Sequence, residues 1–456
     1  MDYTALPTGR PGVYRSYFAT QTKAKDIGNL LSFRIPPREN LFVNSHHMYL
    51  KLKVAVQNRD GSNVPKLDLN QMLAEEEVTE TGPPGKKTKS DKTKTPKPNL
   101  NVWPLEGFAS NLWSQGSVEL GGLKLPPTSD YPYVAQLVGV LGSAKNVRDT
   151  VITPLSGGIM DSSETSLIKE ADVEKNIGSM ISIEGSKPLT LYSKLHVDAL
   201  STMAQLIPPN VEIAIELQRN RDNFALGSPD AAGDYRIKIE EATLYYRVIE
   251  FNTPAMTILN DTLSQDAFMR YRRMATSTSY IPSGTLVHKW TDVMNGGALP
   301  RRLFVMFVDQ RSYAGELNRR PTFCGAAAVR ELKVQINGRD ELVNPFSPKF
   351  EVDSRSGAVL EGSDVKDLLL GLHTITGAFF NSADATPSIG ENDLLRGLMI
   401  YGVELSNSEA TAPSFGCLDI ITSFETPGPR QPAVAVLITE ADQVLRVVGG
   451  KELNYE

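Results

Sequence analysis

Along much of the chain, apolar and polar residues alternate with a period of two, the mark of strands with one face in a core and one in water. Met48, Leu50, Leu52, Val54 and Val56 share one face, with Tyr49, Lys51 and Lys53 on the other. Val118 and Leu120 alternate with Ser117 and Glu119 and run into Gly121-Gly122, a dipeptide that reads as a hairpin turn. The clearest half-buried strand is Val211, Ile213, Ile215 and Leu217, set against Glu212, Ala214, Glu216 and Gln218. Tyr235, Ile237 and Ile239 against Arg236, Lys238 and Glu240 predict another, continued by Ala242, Leu244 and Tyr246. Ile181 and Ile183, then Leu189, Leu191 and Leu195, extend the strand texture. From Tyr131 to Ala144 the apolar spacing is helical and predicts a short helix.

The pattern breaks at Phe251–Pro254 and then restarts. Leu303, Val305 and Phe307 form a strand ending in Asp309, and Val329, Leu332, Val334 and Ile336 form one closed by Asn337-Gly338, a hairpin signal. Further strands are predicted around Leu398, Ile400, Gly402 and Val403 and at Leu418, Ile420 and Thr422. A last run goes from Val434, Val436 and Ile438 through Thr439–Asp442 into Val444, Leu445, Val447 and Val448. The reading is an N-terminal arm over 1–25, a β-rich half over 26–251 and a second over 252–456. The repetition between the halves is architectural and not literal.

Two segments fall outside the pattern. Residues 1–25 combine Pro7, Pro11, Gly9 and Gly12 with Arg10, Arg15, Lys23 and Lys25, and read as an extended arm, either frayed or tied to a neighbouring subunit or to something beneath it. Residues 57–101 pass from an acidic part (Glu75, Glu76, Glu77, Glu80) to a basic part (Lys86, Lys87, Lys89, Lys92, Lys94, Lys97) punctuated by Pro83, Pro84, Pro96 and Pro98. Such a composition reads as a solvated insertion between strands, with a short helix near Leu67–Glu77. Its lysines suit a plain exposed loop, a nuclear localisation signal or a nucleic-acid contact.

A length of 456 residues fits two all-β domains of about 200 residues each. With 41% hydrophobic and 22% charged residues, and 29 prolines and 35 glycines scattered throughout, the chain is globular and rich in turns. A net charge of −6 argues against a whole-protein grip on nucleic acid. The N-terminus lacks the apolar core of a signal peptide, and no run is long and apolar enough to span a membrane. Cys324 and Cys417 read as two buried free thiols.

Chemistry-bearing constellations are missing from the sequence. His46, His47, His196, His288 and His373 have no metal-ligand spacing, and the His46-His47 pair would point to opposite faces of a strand. Neither CxxC, GxSxG, a P-loop nor GxGxxG occurs. Arg270, Arg272 and Arg273, and the pairs Arg301-Arg302 and Arg319-Arg320, read as surface or inter-subunit ion-pairing groups. No catalytic, cofactor-binding or metal-binding residue is assigned, and no enzymatic activity is expected.

Several segments, in order and in both halves, resemble the double jelly-roll major capsid proteins of animal DNA viruses, Polinton-like elements and their adenovirus-related and integrated relatives. In the first half the likeness lies in 108–125, with Asn111, Trp113, Ser114 and Gln115, and in Tyr131-Pro132-Tyr133 opening a helix. In the second it lies in 299–321, with Leu299, Pro300, Asp309 and Pro321, and in 332–351, with Asn337, Gly338, Pro345, Pro348 and Phe350. Residues 417–455 resemble the terminal strand pair. The lysine-bearing insertion is longer than the family pattern, and LITEAD (437–442) stands where a bulkier aromatic strand is common.

The resemblance implies an all-β fold of two tandem eight-stranded antiparallel jelly rolls with short helices and loop insertions. It also implies homotrimeric, pseudo-hexameric capsomers tiling an icosahedral virion shell without cofactors. The implied partners are the chain itself, penton or other minor capsid proteins, and a host receptor met through surface loops, with no sequence-specific nucleic-acid binding. The other readings are a minor or penton capsid protein, a carbohydrate-binding β-sandwich module, and a β-sandwich glycosidase.

Overall fold

The computed structural model describes residues 14–23, 28–67, 100–157, 165–203, 205–264, 267–295, 297–325, 329–341, 346–350, 363–375, 389–405, 415–425, 429, 431–448 and 452–455. The first half contains β1 (Tyr14–Lys23), β2 (Leu30–Ile35), β3 (Leu41–Asn58), β4 (Trp103–Pro104), β5 (Trp113–Leu120), β6 (Leu123–Lys124), β7 (Leu189–Lys194), β8 (Ile213–Arg219), β9 (Leu226–Gly227) and β10 (Tyr235–Phe251). Helix α1 (Tyr131–Gly142) lies between β6 and β7, and helix α2 (Thr253–Ser264) leads into the second half.

The second half contains β11 (Ala267–Ile281), β12 (Val287–Trp290), β13 (Arg302–Asp309), β14 (Val329–Ile336), β15 (Arg339–Asp340), β16 (Ile400–Glu404), β17 (Leu418–Phe424), β18 (Ala433–Val448) and β19 (Glu452–Tyr455), with helix α3 (Lys366–Ile375) before β16.

The sheet orders reveal the repeat. In the first half, β1-β10-β3-β7 faces β2-β8-β5-β6; in the second, β11-β18-β13-β16 faces β12-β17-β14-β15. Setting aside the two-residue β4–β9 pair and the extra strand β19, strands one to eight of each half take the same order, 1-8-3-6 over 2-7-4-5. All strand pairs are antiparallel. Folding a chain back so that first pairs with last, and so on inward, is the jelly roll, and this chain is a double jelly roll.

Each sandwich is held by apolar residues aimed between its sheets. Leu50, Leu52 and Val54 of β3 and Ile237 and Ile239 of β10 meet Phe33 of β2 and Ile213, Ile215 and Leu217 of β8, all 3% exposed or less. Leu303, Val305 and Phe307 meet Leu332, Val334, Leu418 and Ile420 in the second core.

Several expectations change. Tyr14–Lys23, read as an arm, forms a ten-residue strand paired with β10 and is the first strand of the first jelly roll. Its YRSYFATQTK carries mixed residues because it is an edge strand, with Tyr17 44% and Phe18 51% exposed. Ile181 and Ile183 belong to a short helix, Ile177–Ile183, which buries Met180 and Ile183 and leaves Ile181 exposed. The final run continues unbroken through Thr439–Asp442 as β18, because β11 and β13 pair with it on both sides.

The flanks of the 57–101 insertion are packed. β3 extends to Asn58, and Val64, Leu67 and Leu100 are buried. The six lysines of its basic part, and most of the expected helix, lie outside the described residues. The His46-His47 pair sits where the β3–β10 register slips, and both residues are exposed. Both cysteines are free. Cys324 is buried, but Cys417 is half-buried, with its thiol 3.3 Å from Asp419 Oδ1.

Candidate assembly surfaces and the seam between the halves

The two jelly rolls meet along a seam built by α1 and the segment after β13. Helix α1 is apolar on most of its circumference, so it serves two cores. Tyr131 and Ala135 join the first, whereas Tyr133, Val134, Leu137 and Val140 join the second. The Tyr131 hydroxyl accepts the His196 N–H at 2.9 Å. The Tyr133 hydroxyl donates to the Pro321 carbonyl at 2.9 Å, and its ring stacks on Tyr313 and meets Phe224 edge-on. Gln136 Nε2 donates to the Thr322 carbonyl at 2.7 Å, and the Tyr313 hydroxyl lies 3.0 Å from Asp130 Oδ1.

Ion pairs strengthen the same seam. Arg320 Nη2 is 3.1 Å from Asp172 Oδ2, while its Nη1 donates to the carbonyls of Thr165 (2.9 Å) and Leu167 (3.1 Å). Lys145 Nζ is 2.7 Å from Asp393 Oδ1. The Arg319-Arg320 pair, expected at a surface, is therefore buried inside the chain, and Arg319 lies 3.7 Å from Asp309. Three of the other arginines also find partners within the chain: Arg272 and Arg302 with Glu440, and Arg301 with Glu404 and Asp442.

The residues singled out from the sequence divide into four groups. Tyr131, Pro132, Tyr133, Asp309 and Pro321 come together at or beside the seam. Asn111, Trp113, Ser114 and Gln115 secure the first sandwich: Trp113 is 1% exposed, Asn111 Nδ2 donates to the Glu106 carbonyl, and Ser114 Oγ reaches the Gln218 and Arg219 carbonyls. Gln115 pairs with Gln218 in the β5–β8 ladder. Asn337 and Gly338, at φ 51° and 77°, form the β14–β15 turn, and Asn337 Oδ1 accepts the Cys417 N–H. Pro300, Pro348 and Phe350 are buried, Leu299 is half-buried, and Pro345 lies outside the described residues. Sequence reading missed Phe224, Tyr313, Gln136 and Asp172. Phe224, Tyr313 and Asp172 are each one ordinary residue in a loop or short helix without a periodic signal, and Gln136 is a polar residue within the predicted helix, where periodicity marks only the apolar positions.

The outer face of the first sheet carries a row of rings, one from each strand. Tyr49 of β3 stacks on Tyr245 of β10 (centroids 4.8 Å apart, planes at 4°), meets Phe18 of β1 edge-on at 5.7 Å and lies 6.3 Å from Tyr192 of β7. The corresponding outer face in the second half is covered within the chain, where Leu372 and Ile375 of α3 lie over Gly402 of β16. A second apolar patch, Tyr280, Leu286 and Val287, is 51–60% exposed at the β11–β12 end. Among the described residues no group of His, Cys, Asp and Glu is placed to hold a metal ion.

His196 packs beside Tyr131, and burial, followed by the Lys194 charge, lowers its pKa to about 4. In the unfolded chain the value is about 6.5. The unfolded chain therefore takes up this proton first, so the stabilisation is complete above pH 6.5 and is lost as pH falls towards 4. The residue keeps some exposed area, which discounts the full shift to about 1–3 kcal/mol. Urea melts of His196→Asn should show that much less loss of stability than the parent between pH 6.5 and 4, and an unchanged difference would contradict the assignment.

No family model matches the sequence, and no curated protein does. Solved structures match over nearly the whole chain. A chain of the Sputnik virophage aligns with a TM-score of 0.58 and 8% identity, covering 99% of this chain and 90% of that one. The mavirus major capsid protein aligns with a TM-score of 0.53 and 9% identity over 100% and 93%. PBCV-1 VP54 aligns with a TM-score of 0.51 and 10% identity over 99% and 99%. At such identities the likeness is one of fold, and this chain has the double jelly-roll architecture that these viral proteins share.

Proposed function

We propose that the chain is a structural major capsid protein, without enzymatic activity, that forms homotrimeric capsomers tiling an icosahedral virion shell of a DNA virus or virus-derived element. The observation that carries this reading is the repeat of one eight-strand order in both halves, in a chain matching viral major capsid proteins along nearly its full length. Two like sandwiches side by side give three copies six sandwiches around one axis, a near-hexagonal block that tiles a surface. Cyclic closure uses one interface three times and yields a finite unit.

The row of rings on the first sheet and the Tyr280 patch are apolar surfaces of the kind such an interface covers. Surface loops would meet minor capsid proteins and a host receptor. Light scattering of the purified chain, 50.0 kDa as a monomer, should give about three times that mass. A monomer at every concentration would overturn the reading and favour a sandwich binding module.

A further inference from the structure

The seam leaves one large cleft, of about 900 Å³, between the first half's edge strand β7, helix α1, the helical run Lys145–Ser156, and second-half residues 320–323 and 392–398. Its walls are largely apolar, with Tyr49, Val138, Val151, Leu155, Tyr192 and Phe323 among them. On the helical run, Val147, Val151 and Leu155 are 43%, 47% and 45% exposed at four-residue spacing, an apolar stripe that reaches the cleft.

Arg148 also lines this cleft. Its side chain is 7% exposed, its Nε lies 3.4 Å from Asp149, and its Nη1 has no hydrogen-bond partner among the described residues. A buried guanidinium nitrogen without an acceptor is costly, and an anion arriving in the cleft would supply one. Lys194 and Arg396 add positive charge at the margin, against Glu106, while Asp393 is held by Lys145. Arg320, also buried at the cleft, is held by Asp172, so apolar walls with Arg148 as the buried cation short of an acceptor describe a site for a small amphiphile more than for a purely polar ligand.

We propose that this cleft binds a single-chain anionic amphiphile, its carboxylate or phosphate on Arg148 and its tail along Val138, Val151, Leu155 and Phe323. This inference rests on the cleft alone, and it stands or falls separately from the capsomer reading.

Titration calorimetry on the full-length chain, with laurate and monododecyl phosphate below their micelle concentrations, tests it. One saturable site per chain is expected, with the tighter probe naming the headgroup. Dodecanol, which has the same tail without the charge, should bind about tenfold or more weakly, and Arg148→Gln should weaken the anionic probes about tenfold or more. Val151→Asp, at a position 47% exposed, should weaken both probes as strongly, and decides the matter if Arg148→Gln fails to fold. Equal binding of dodecanol, full binding by both variants, or no saturable site would overturn the proposal. A scattering mass measured on the same samples keeps loss of assembly distinct from loss of the ligand.

Discussion

Tyr133→Ala should destabilise the protein by about 3–5 kcal/mol, because it removes a fully buried ring at the junction of two domains. The ring is 1% exposed, stacks on Tyr313 with centroids 5.9 Å apart and meets Phe224 edge-on at 6.3 Å. Truncation would leave a cavity that both halves must close, and a Pro321 carbonyl without its donor. Tyr133→Phe keeps the packing and loses only the hydrogen bond, so its cost should be about 1–2 kcal/mol. Urea melts of the three proteins separate these terms. A cost below about 1 kcal/mol for the alanine variant would mean that the seam contributes little.

Arg320→Met should cost about as much, 3–5 kcal/mol, by a different route. The substitution strands Asp172, whose Oδ2 among the described residues then keeps only the Lys169 N–H at 2.9 Å, and removes the donors to the Thr165 and Leu167 carbonyls. The damage is that of an uncompensated buried charge, so the double variant Arg320→Met with Asp172→Leu should regain much of the loss. A double variant as unstable as the single one would show instead that the backbone carbonyls, and not the carboxylate, are what Arg320 serves.

Much of the architecture is legible in the residues, for a physical reason. Where one face of a strand meets water, as in β8, the period-two signal is clean. Where both faces are covered, as along Leu303–Val308 and Ala433–Glu440, the signal collapses into an apolar run and strand limits blur. β1 was hidden by the opposite problem, since an edge strand with Thr20 and Phe18 exposed looks like a loop. The Ile181–Ile183 pair alternates like a strand over too short a window to distinguish it from one helical turn.

The seam was legible only in part. Tyr131-Pro132-Tyr133 and Pro321 stood out through the family resemblance, but that Tyr133 donates to Pro321, 188 residues away, is a tertiary fact. Arg319 and Arg320 were expected at the surface because charge is rarely buried. Their partners, Asp309 and Asp172, sit in other parts of the chain, where no local pattern connects them.

In the proposed function, one chain supplies two like jelly rolls to a threefold unit. Electron microscopy of the purified, assembled protein tests it most directly. Averages viewed down the axis should show threefold particles with six barrel-sized lobes in a near-hexagonal ring. Two-lobed single chains, or capsomer-sized oligomers of any other symmetry, would contradict it.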